Sequence, residues 1–505
     1  MKKVEADVVI IAGGISGLAA AISAAEKDAS VIVFEKSNTT GGAANMGMGL
    51  FAVESHIQKE QMVDLTIDDA FNKFMNYTHW RVDGRLVRKY FNQSASTIEW
   101  LEEMGIEFLG AFKYFNKSET TWHIIKAFGS NRPAERAGSI MVKAMTDRAK
   151  ELGVVFHLQT AVKKILVEDG RACGVIAETI NGELIEADCN AIVVATGGFG
   201  DNPKMMKEQT GYEWGKDLYS FRIPGVVGDG VNMVWDIGGG KSDINIEVTY
   251  TTPGVTDIYK TISETMRQPN LMVNLDGKRI LNEELMMNPT YTGNTISRQR
   301  ERTAFTIIDD SILKGYRKNG LDFITFHHNI KTVDNFDTEL ADYLAGKKHN
   351  DDAGLSNLHT EDETQMKTVF VADTLEDLAE QTGINLKNLQ DTIAEYNKYA
   401  GSHDEFFGKD IKYLKPITGG KYYAAKHFPA GYGSLGGILT DDDLQVLNTE
   451  KMPIPGLFAA GTDACTIFGD SYVFIMPGNT MGFAINSGRM AGKGAVDYIC
   501  DNLIE

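Results

Sequence analysis

Near the start of the chain, the segment Ala12-Gly13-Gly14-Ile15-Ser16-Gly17 has the residue types and spacing that hold a diphosphate. Gly14 lets backbone approach a pyrophosphate, Gly17 lets helix and strand pack closely, and a helix N-terminus beyond them faces the anion. Ala12 stands where the first glycine of G-x-G-x-x-G is usual, and a methyl is the smallest possible addition. Glu35 lies at the separation where a carboxylate accepts hydrogen bonds from an adenosine ribose, and it disfavours a 2′-phosphate. The chemistry implied is the binding of a dinucleotide coenzyme. This spacing alone does not separate NAD from FAD.

The elements needed to position these residues are present in order. Val8-Val9-Ile10-Ile11 reads as a buried strand, residues 18–26 as an alanine-rich helix, and residues 30–34 as a second strand ending at Glu35. The 505 residues, 43% of them hydrophobic, are enough for two or more domains. A net charge of −19, from 69 acidic against 50 basic residues, argues against nucleic acid or an anionic membrane as partner. Cys173, Cys189, Cys465 and Cys500 show no Cys-x-x-Cys spacing, so no cluster, structural zinc or haem attachment is expected, and no metal site. Asp7 and the glycines after it spoil a signal peptide, and no apolar run reaches membrane-spanning length, so a cytoplasmic protein is expected.

Further segments carry a resemblance. Glu35-Lys36-Ser37-Asn38-Thr39-Thr40-Gly41-Gly42, Ala195-Thr196-Gly197-Gly198-Phe199-Gly200, Ala372-Asp373-Thr374-Leu375-Glu376-Asp377-Leu378-Ala379, Ile454-Pro455-Gly456-Leu457-Phe458-Ala459-Ala460-Gly461 and Pro477-Gly478-Asn479-Thr480-Met481-Gly482 fall in one order along the chain. Together they resemble the FAD-dependent superfamily of fumarate reductases, succinate dehydrogenase flavoproteins and 3-ketosteroid dehydrogenases. The resemblance implies FAD, with Gly14, Ser16, Gly17, Glu35, Lys36, Gly41, Gly42, Gly47, Val162, Gly197, Asp229, Gly461, Thr480 and Met481 touching it. Relatives with covalent flavin attach it to a histidine just after the double glycine. Here Ala43-Ala44-Asn45 follows, so FAD is expected to be non-covalent. Asn479 or Thr480 can cap the last helix, leaving first-turn amides free for a reduced flavin's negative charge.

The implied fold class is α/β: a Rossmann-like, doubly wound FAD-binding domain with an inserted α+β capping domain. The FAD-binding part is expected over residues 1–248 and 433–505, the cap over 249–432, with the active site between cap and flavin ring. The middle segment is more polar, carries a loop-like stretch at 347–360 and lacks glycine fingerprints. Gly238-Gly239-Gly240 reads as a helix end and His327-His328 as loop histidines.

Fumarate reductases hold two substrate carboxylates with histidines and arginines. At the corresponding places stand Thr252, Met287, Tyr432 or Gly433, and the arginine-free run 474–479. Each charge-assisted hydrogen bond is worth about 1.5–3 kcal/mol, so a dicarboxylate is not the expected substrate unless arginines such as Arg298 or Arg300 compensate. Gly469-Asp470-Ser471-Tyr472 and the run 477–482 are more similar to 3-ketosteroid dehydrogenases, where a tyrosine and a glycine amide polarise a substrate carbonyl. By that resemblance Tyr472 and the Gly478 N–H polarise, with Tyr291 or Tyr432 as proton-transfer candidates. Hydride exchange at a carbon β to a carbonyl needs enolate stabilisation and a proton donor or acceptor, and a phenol can do both.

The leading expectation is an FAD-dependent oxidoreductase, an enone-type reductase or dehydrogenase acting on an activated C–C bond of a carbonyl compound. Its partners are a small-molecule substrate and an external electron donor or acceptor. Alternatives are an unsaturated-acid reductase of fumarate or urocanate type with relocated arginines, an alcohol or polyol dehydrogenase, and a non-catalytic flavin electron-transfer subunit.

Overall fold

The computed structural model describes residues 1–131, 136–219, 222–256, 258–323, 325–326, 330, 332–347 and 366–502. His327-His328 and most of the 347–360 stretch lie outside the described residues. The chain divides into two compact units, one of residues 1–210, 223–246 and 433–505, the other of 211–222 and 247–432.

In the first unit the opening strand (Lys2–Ile11) lies in the middle of an eight-stranded sheet. It pairs in parallel with Val31–Phe34 on one side and Leu184–Val194 on the other, with Val9 opposite both Ile32 and Ile192. Val155–His157 and Pro453–Ala459 extend the parallel set outward. Strands buried on both faces are continuously apolar, and Val8 to Ile11 and Ala191 to Val194 are accordingly buried. Thr160–Glu168 and Arg171–Thr179 form an antiparallel meander with Leu184–Val194.

Every residue of the opening helix (Ile15–Ala25) is buried. Its neighbour is the closing helix (Asn479–Asn502), and small residues set their approach. A Cβ on Gly488 would overlap the Ser16 carbonyl oxygen, and one on Gly492 the Ala20 carbonyl oxygen. Glycines four apart on one helix thus seat against residues four apart on the other, as the i±4 rows of two helices interlock. A small antiparallel sheet of Gly49–Phe51, Trp122–Ile125 and Phe108–Phe112 completes the unit.

The second unit is built on a five-stranded sheet in which the long strand Tyr422–Leu435 pairs antiparallel with Ala304–Asp309 and Val369–Ala372. Helices including Lys260–Met266, Pro289–Ser297 and Leu386–Tyr399 accompany it, and Ile262, Phe305, Ile307, Phe336, Leu389 and Tyr396 fill its core. A buried charge cluster ties two of its loops. Glu283 takes both forks of Arg279, which also reaches Asp404 at 2.8 Å, while Lys409 lies 3.2 Å from Glu283.

Candidate active site

The opening turn is shaped by what fits at each position. A Cβ on Gly17 would overlap the Ala12 carbonyl oxygen, so helix and strand meet only because Gly17 has no side chain. Gly14 faces the other way: a Cβ there would come no closer than 3.8 Å to any neighbour, the Ala195 carbonyl oxygen. A Cβ on Gly42 would meet nothing nearer than the Gly14 Cα at 3.7 Å. The Gly41 N–H donates to the Gly13 carbonyl at 2.8 Å, fixing these two turns side by side. The result is a glycine-walled space at the head of the opening helix, whose first-turn amides have no side-chain cap. That is the environment a pyrophosphate requires.

Ala12 sits at φ 81°, in the left-handed region. The methyl that looked harmless in the sequence therefore carries a backbone cost, because L-residues crowd the following carbonyl there. Glu35 is buried, and its carboxylate accepts the Gly13 N–H and the Ser37 N–H, both at 2.7 Å. These two bonds lock the acid beside the glycine turn. Each of its oxygens keeps a lone pair for a further donor.

Lys36 and Asp229 are each other's partner, with the Lys36 ammonium 2.6 Å from the Asp229 carboxylate and also on the Gly225 carbonyl oxygen. Gly47 lies against Met481, since a Cβ on Gly47 would overlap the Met481 methyl. Gly461 lies against Ser16, and its N–H donates to the Ser487 hydroxyl at 2.9 Å. Val162 is buried in the meander, opposite Ala177.

At the head of the closing helix, the Gly482 N–H donates to the Gly478 carbonyl at 2.9 Å, so Gly478 supplies the first carbonyl of the ladder. Of the two residues expected as caps, Asn479 or Thr480, Asn479 bonds otherwise. Its side chain donates to the Met476 carbonyl at 2.6 Å and accepts from the Tyr90 hydroxyl at 3.0 Å, because the position is fully buried and both amide ends need partners. The Thr480 and Tyr472 hydroxyls are hydrogen-bonded at 2.8 Å, either able to donate, and Tyr472 is only 4% exposed. Gly478 has φ 91°, and its carbonyl also accepts the Phe51 N–H at 2.9 Å. Among the described residues its own N–H meets no acceptor.

Tyr291 and Tyr432 belong to the second unit. Tyr291 is half-buried in the first turn of the Pro289–Ser297 helix, where the Asn288 side chain accepts its N–H at 3.3 Å. Tyr432 is 42% exposed. Thr252 joins a buried chain that the sequence did not reveal: its hydroxyl meets His427 Nδ1 at 2.9 Å, and the Thr306 hydroxyl meets His427 Nε2 at 2.8 Å. Burial, with the Arg267 charge nearby as a lesser cause, pushes the His427 imidazole down to about 3, so it is neutral. Arg300 is exposed and lies 3.2 Å from Asp276.

Sequence reasoning also missed Asp463. It is fully buried, and its carboxylate accepts the Gly198 N–H at 2.7 Å, the Gly197 N–H at 3.2 Å, the Thr196 hydroxyl at 2.9 Å and the Thr196 N–H. The only available signal was its place two residues beyond Gly461. Burial pushes its pKa up, against the pull of these donors.

Residues 7–474 match the model of the FAD binding domain family. The chain is a member of the FAD binding domain family. It is an FAD-dependent oxidoreductase, and the glycine-walled space at the opening helix suits that coenzyme's diphosphate. It is 29% identical to a vinyl phenol reductase of Lactiplantibacillus plantarum, across 97% of this chain and 96% of the relative. It is 26% identical to a fumarate reductase (cytochrome) of Shewanella frigidimarina, across 97% of this chain and 77% of the relative. The fold is shared with 3-ketosteroid-delta4-(5alpha)-dehydrogenase from Rhodococcus jostii, with a TM-score of 0.74 and 22% identity over 98% of this chain and 97% of that one. No helix among the described residues is long and apolar enough to cross a membrane.

Proposed function

We propose that this family member transfers hydride between FAD and an activated carbon–carbon double bond in a neutral or singly charged compound, a conjugated carbonyl or a vinyl-substituted phenol. The observation that carries this reading is the Tyr472–Thr480 hydroxyl pair at the head of the closing helix, where Gly478 stands two residues before Thr480. FAD, when bound, supplies the two-electron hydride chemistry. Tyr472 and the Gly478 amide offer hydrogen-bond donors of the kind that stabilise charge developing on a conjugated oxygen. The Thr480 hydroxyl is hydrogen-bonded to the Tyr472 hydroxyl, and either of the pair can be the donor. Similarity to a vinyl phenol reductase along nearly the whole of both chains supports a substrate without two carboxylates. Thr252, committed to His427, and the apolar Met287 give a dicarboxylate no charged clamp at the positions where the resemblance places one.

In this reading the fourteen residues named from the sequence for FAD hold it non-covalently, and an external donor supplies electrons. Ala43, Ala44 and Asn45 present no histidine for attachment. Anaerobic titration of reduced protein with vinyl phenols, enones, urocanate and fumarate tests the assignment. Reoxidation by a vinyl phenol or an enone is expected, with a rate about a hundredfold lower in Tyr472→Phe. Reoxidation by fumarate alone overturns it.

A further inference from the structure

Three segments far apart in sequence converge on one turn of the first unit. Gly197 and Gly198 follow the Leu184–Val194 strand with φ of 89° and 82°, two successive left-handed residues. Such a pair turns successive N–H groups inward, making a concavity for an anion. The concavity is filled from within the chain by the Asp463 carboxylate, which takes the N–H groups of Thr196, Gly197 and Gly198 together with the Thr196 hydroxyl. Ser434 closes the far side by accepting the Phe199 N–H at 2.8 Å. The Gly436 N–H donates to the Thr462 carbonyl at 2.8 Å, and the Ile438 N–H to the Asp463 carbonyl at 2.9 Å.

The charge on Asp463 has a specific setting. It is fully buried, and every partner among the described residues is an amide or hydroxyl of the 196–198 turn, with no lysine, arginine or histidine in contact. An ionised carboxylate survives such burial only when several donors converge on it. Removing the carboxylate would leave three N–H groups, that of Gly198 buried and those of Thr196 and Gly197 part-buried, without this acceptor, and a pair of left-handed residues without the contact that holds them. The front of the turn is open by contrast: a Cβ on Gly197 would meet nothing nearer than Val226 at 3.7 Å and the Thr462 hydroxyl at 3.8 Å.

We propose that Asp463 is a positioning residue for the coenzyme, its buried carboxylate holding the Thr196–Gly198 turn in the left-handed form that presents the open face of Gly197 to FAD. The inference rests on the reading that Gly197 is an FAD contact, and it adds the residue that gives that contact its shape. Asp463 itself acts through the turn. The Gly461 N–H is held by Ser487 on the closing helix, so the segment bearing Asp463 is anchored independently of the turn it organises.

Asp463→Asn tests this. The amide keeps the size but presents an NH2 group to donors that need an acceptor. FAD dissociation constants would be measured by flavin fluorescence on apoprotein reconstituted with FAD, with the visible circular dichroism of the bound flavin as a second readout and far-ultraviolet dichroism to confirm the fold. A folded variant whose FAD affinity falls about tenfold or more, with an altered flavin dichroism band, supports the proposal. A folded variant with affinity within about twofold of the native protein overturns it. Should Asp463→Asn fail to fold, Thr196→Val decides: it removes one of four donors and is expected to weaken FAD severalfold, and unchanged affinity with an unchanged dichroism band overturns the proposal. Glu35→Gln in parallel separates the two readings. If it weakens FAD and Asp463→Asn does not, the nucleotide site stands and only the role of Asp463 falls, whereas indifference of both removes the FAD placement itself.

Discussion

Ala12 shows how much one methyl decides. At φ 81° an L-residue pays a steric cost that glycine does not, roughly 1–2 kcal/mol. Glycine loses part of that advantage through its freer unfolded chain, roughly 0.4–1 kcal/mol. Ala12→Gly should therefore stabilise the protein by about 0.5–1 kcal/mol, read as a higher urea midpoint at unchanged slope. An unchanged or lower midpoint would show that the Ala12 methyl makes packing contacts worth as much as the strain. The fingerprint around it was legible because each requirement is local: Gly17 must clear the Ala12 carbonyl and Gly14 must leave space in front of it. The left-handed conformation was not, since it depends on how the next carbonyl is held. Lys36 and Asp229 were singled out separately, and their pairing crosses 193 residues that no local pattern spans.

At the level of elements, the opening and closing helices are joined by the absence of side chains. Gly488 and Gly492 stand where any Cβ would strike the Ser16 or Ala20 carbonyl oxygen. Backbone cannot move aside as a flexible side chain could, so Gly488→Ala must push the helices apart. Overpacking of this kind costs about 1–3 kcal/mol, and the same displacement reaches the adjacent Ser487 and the Gly461 N–H bonded to it. Gly488→Ala is thus expected to lower the melting temperature of the apoprotein and to weaken FAD binding as well. A variant that loses stability but keeps full FAD affinity would show that the helix crossing and the coenzyme site are mechanically separate. Strand, helix and order of segments could be read from the sequence because periodicity and glycine spacing encode them. Of the two side chains expected to cap the closing helix, that of Asn479 or of Thr480, the first is buried and claimed by Tyr90 and Met476. A cap residue is recognised by its type, but burial decides which donor it meets.

Across the whole molecule, each unit contains a buried histidine held between oxygens. In the first, His123 Nδ1 is 3.0 Å from the Thr121 carbonyl and Nε2 is 2.7 Å from the Ser55 hydroxyl, so the ring donates to the carbonyl and accepts from the serine. In the second, His427 lies between Thr252 and Thr306. Burial depresses both, to about 4 for His123 and about 3 for His427, below the usual imidazole value of 6.5. The unfolded chain then binds protons that the folded chain refuses, so stability is fully present above pH 6.5 and falls as the pH drops toward 4 and 3. Neither histidine was readable as special, because the hydroxyls that hold it come from distant segments. The expected outcome is a melting temperature that declines steadily below pH 6.5 in the native protein and declines less steeply in His123→Gln and in His427→Gln. Glutamine bonds to both flanking groups without titrating, so each variant isolates proton uptake from loss of contact. Equal slopes in the native and variant proteins would place the acid sensitivity in the carboxylates instead, with Asp404, held down to about 2 chiefly by its bond to Arg279 against the opposing effect of burial, as the first to examine.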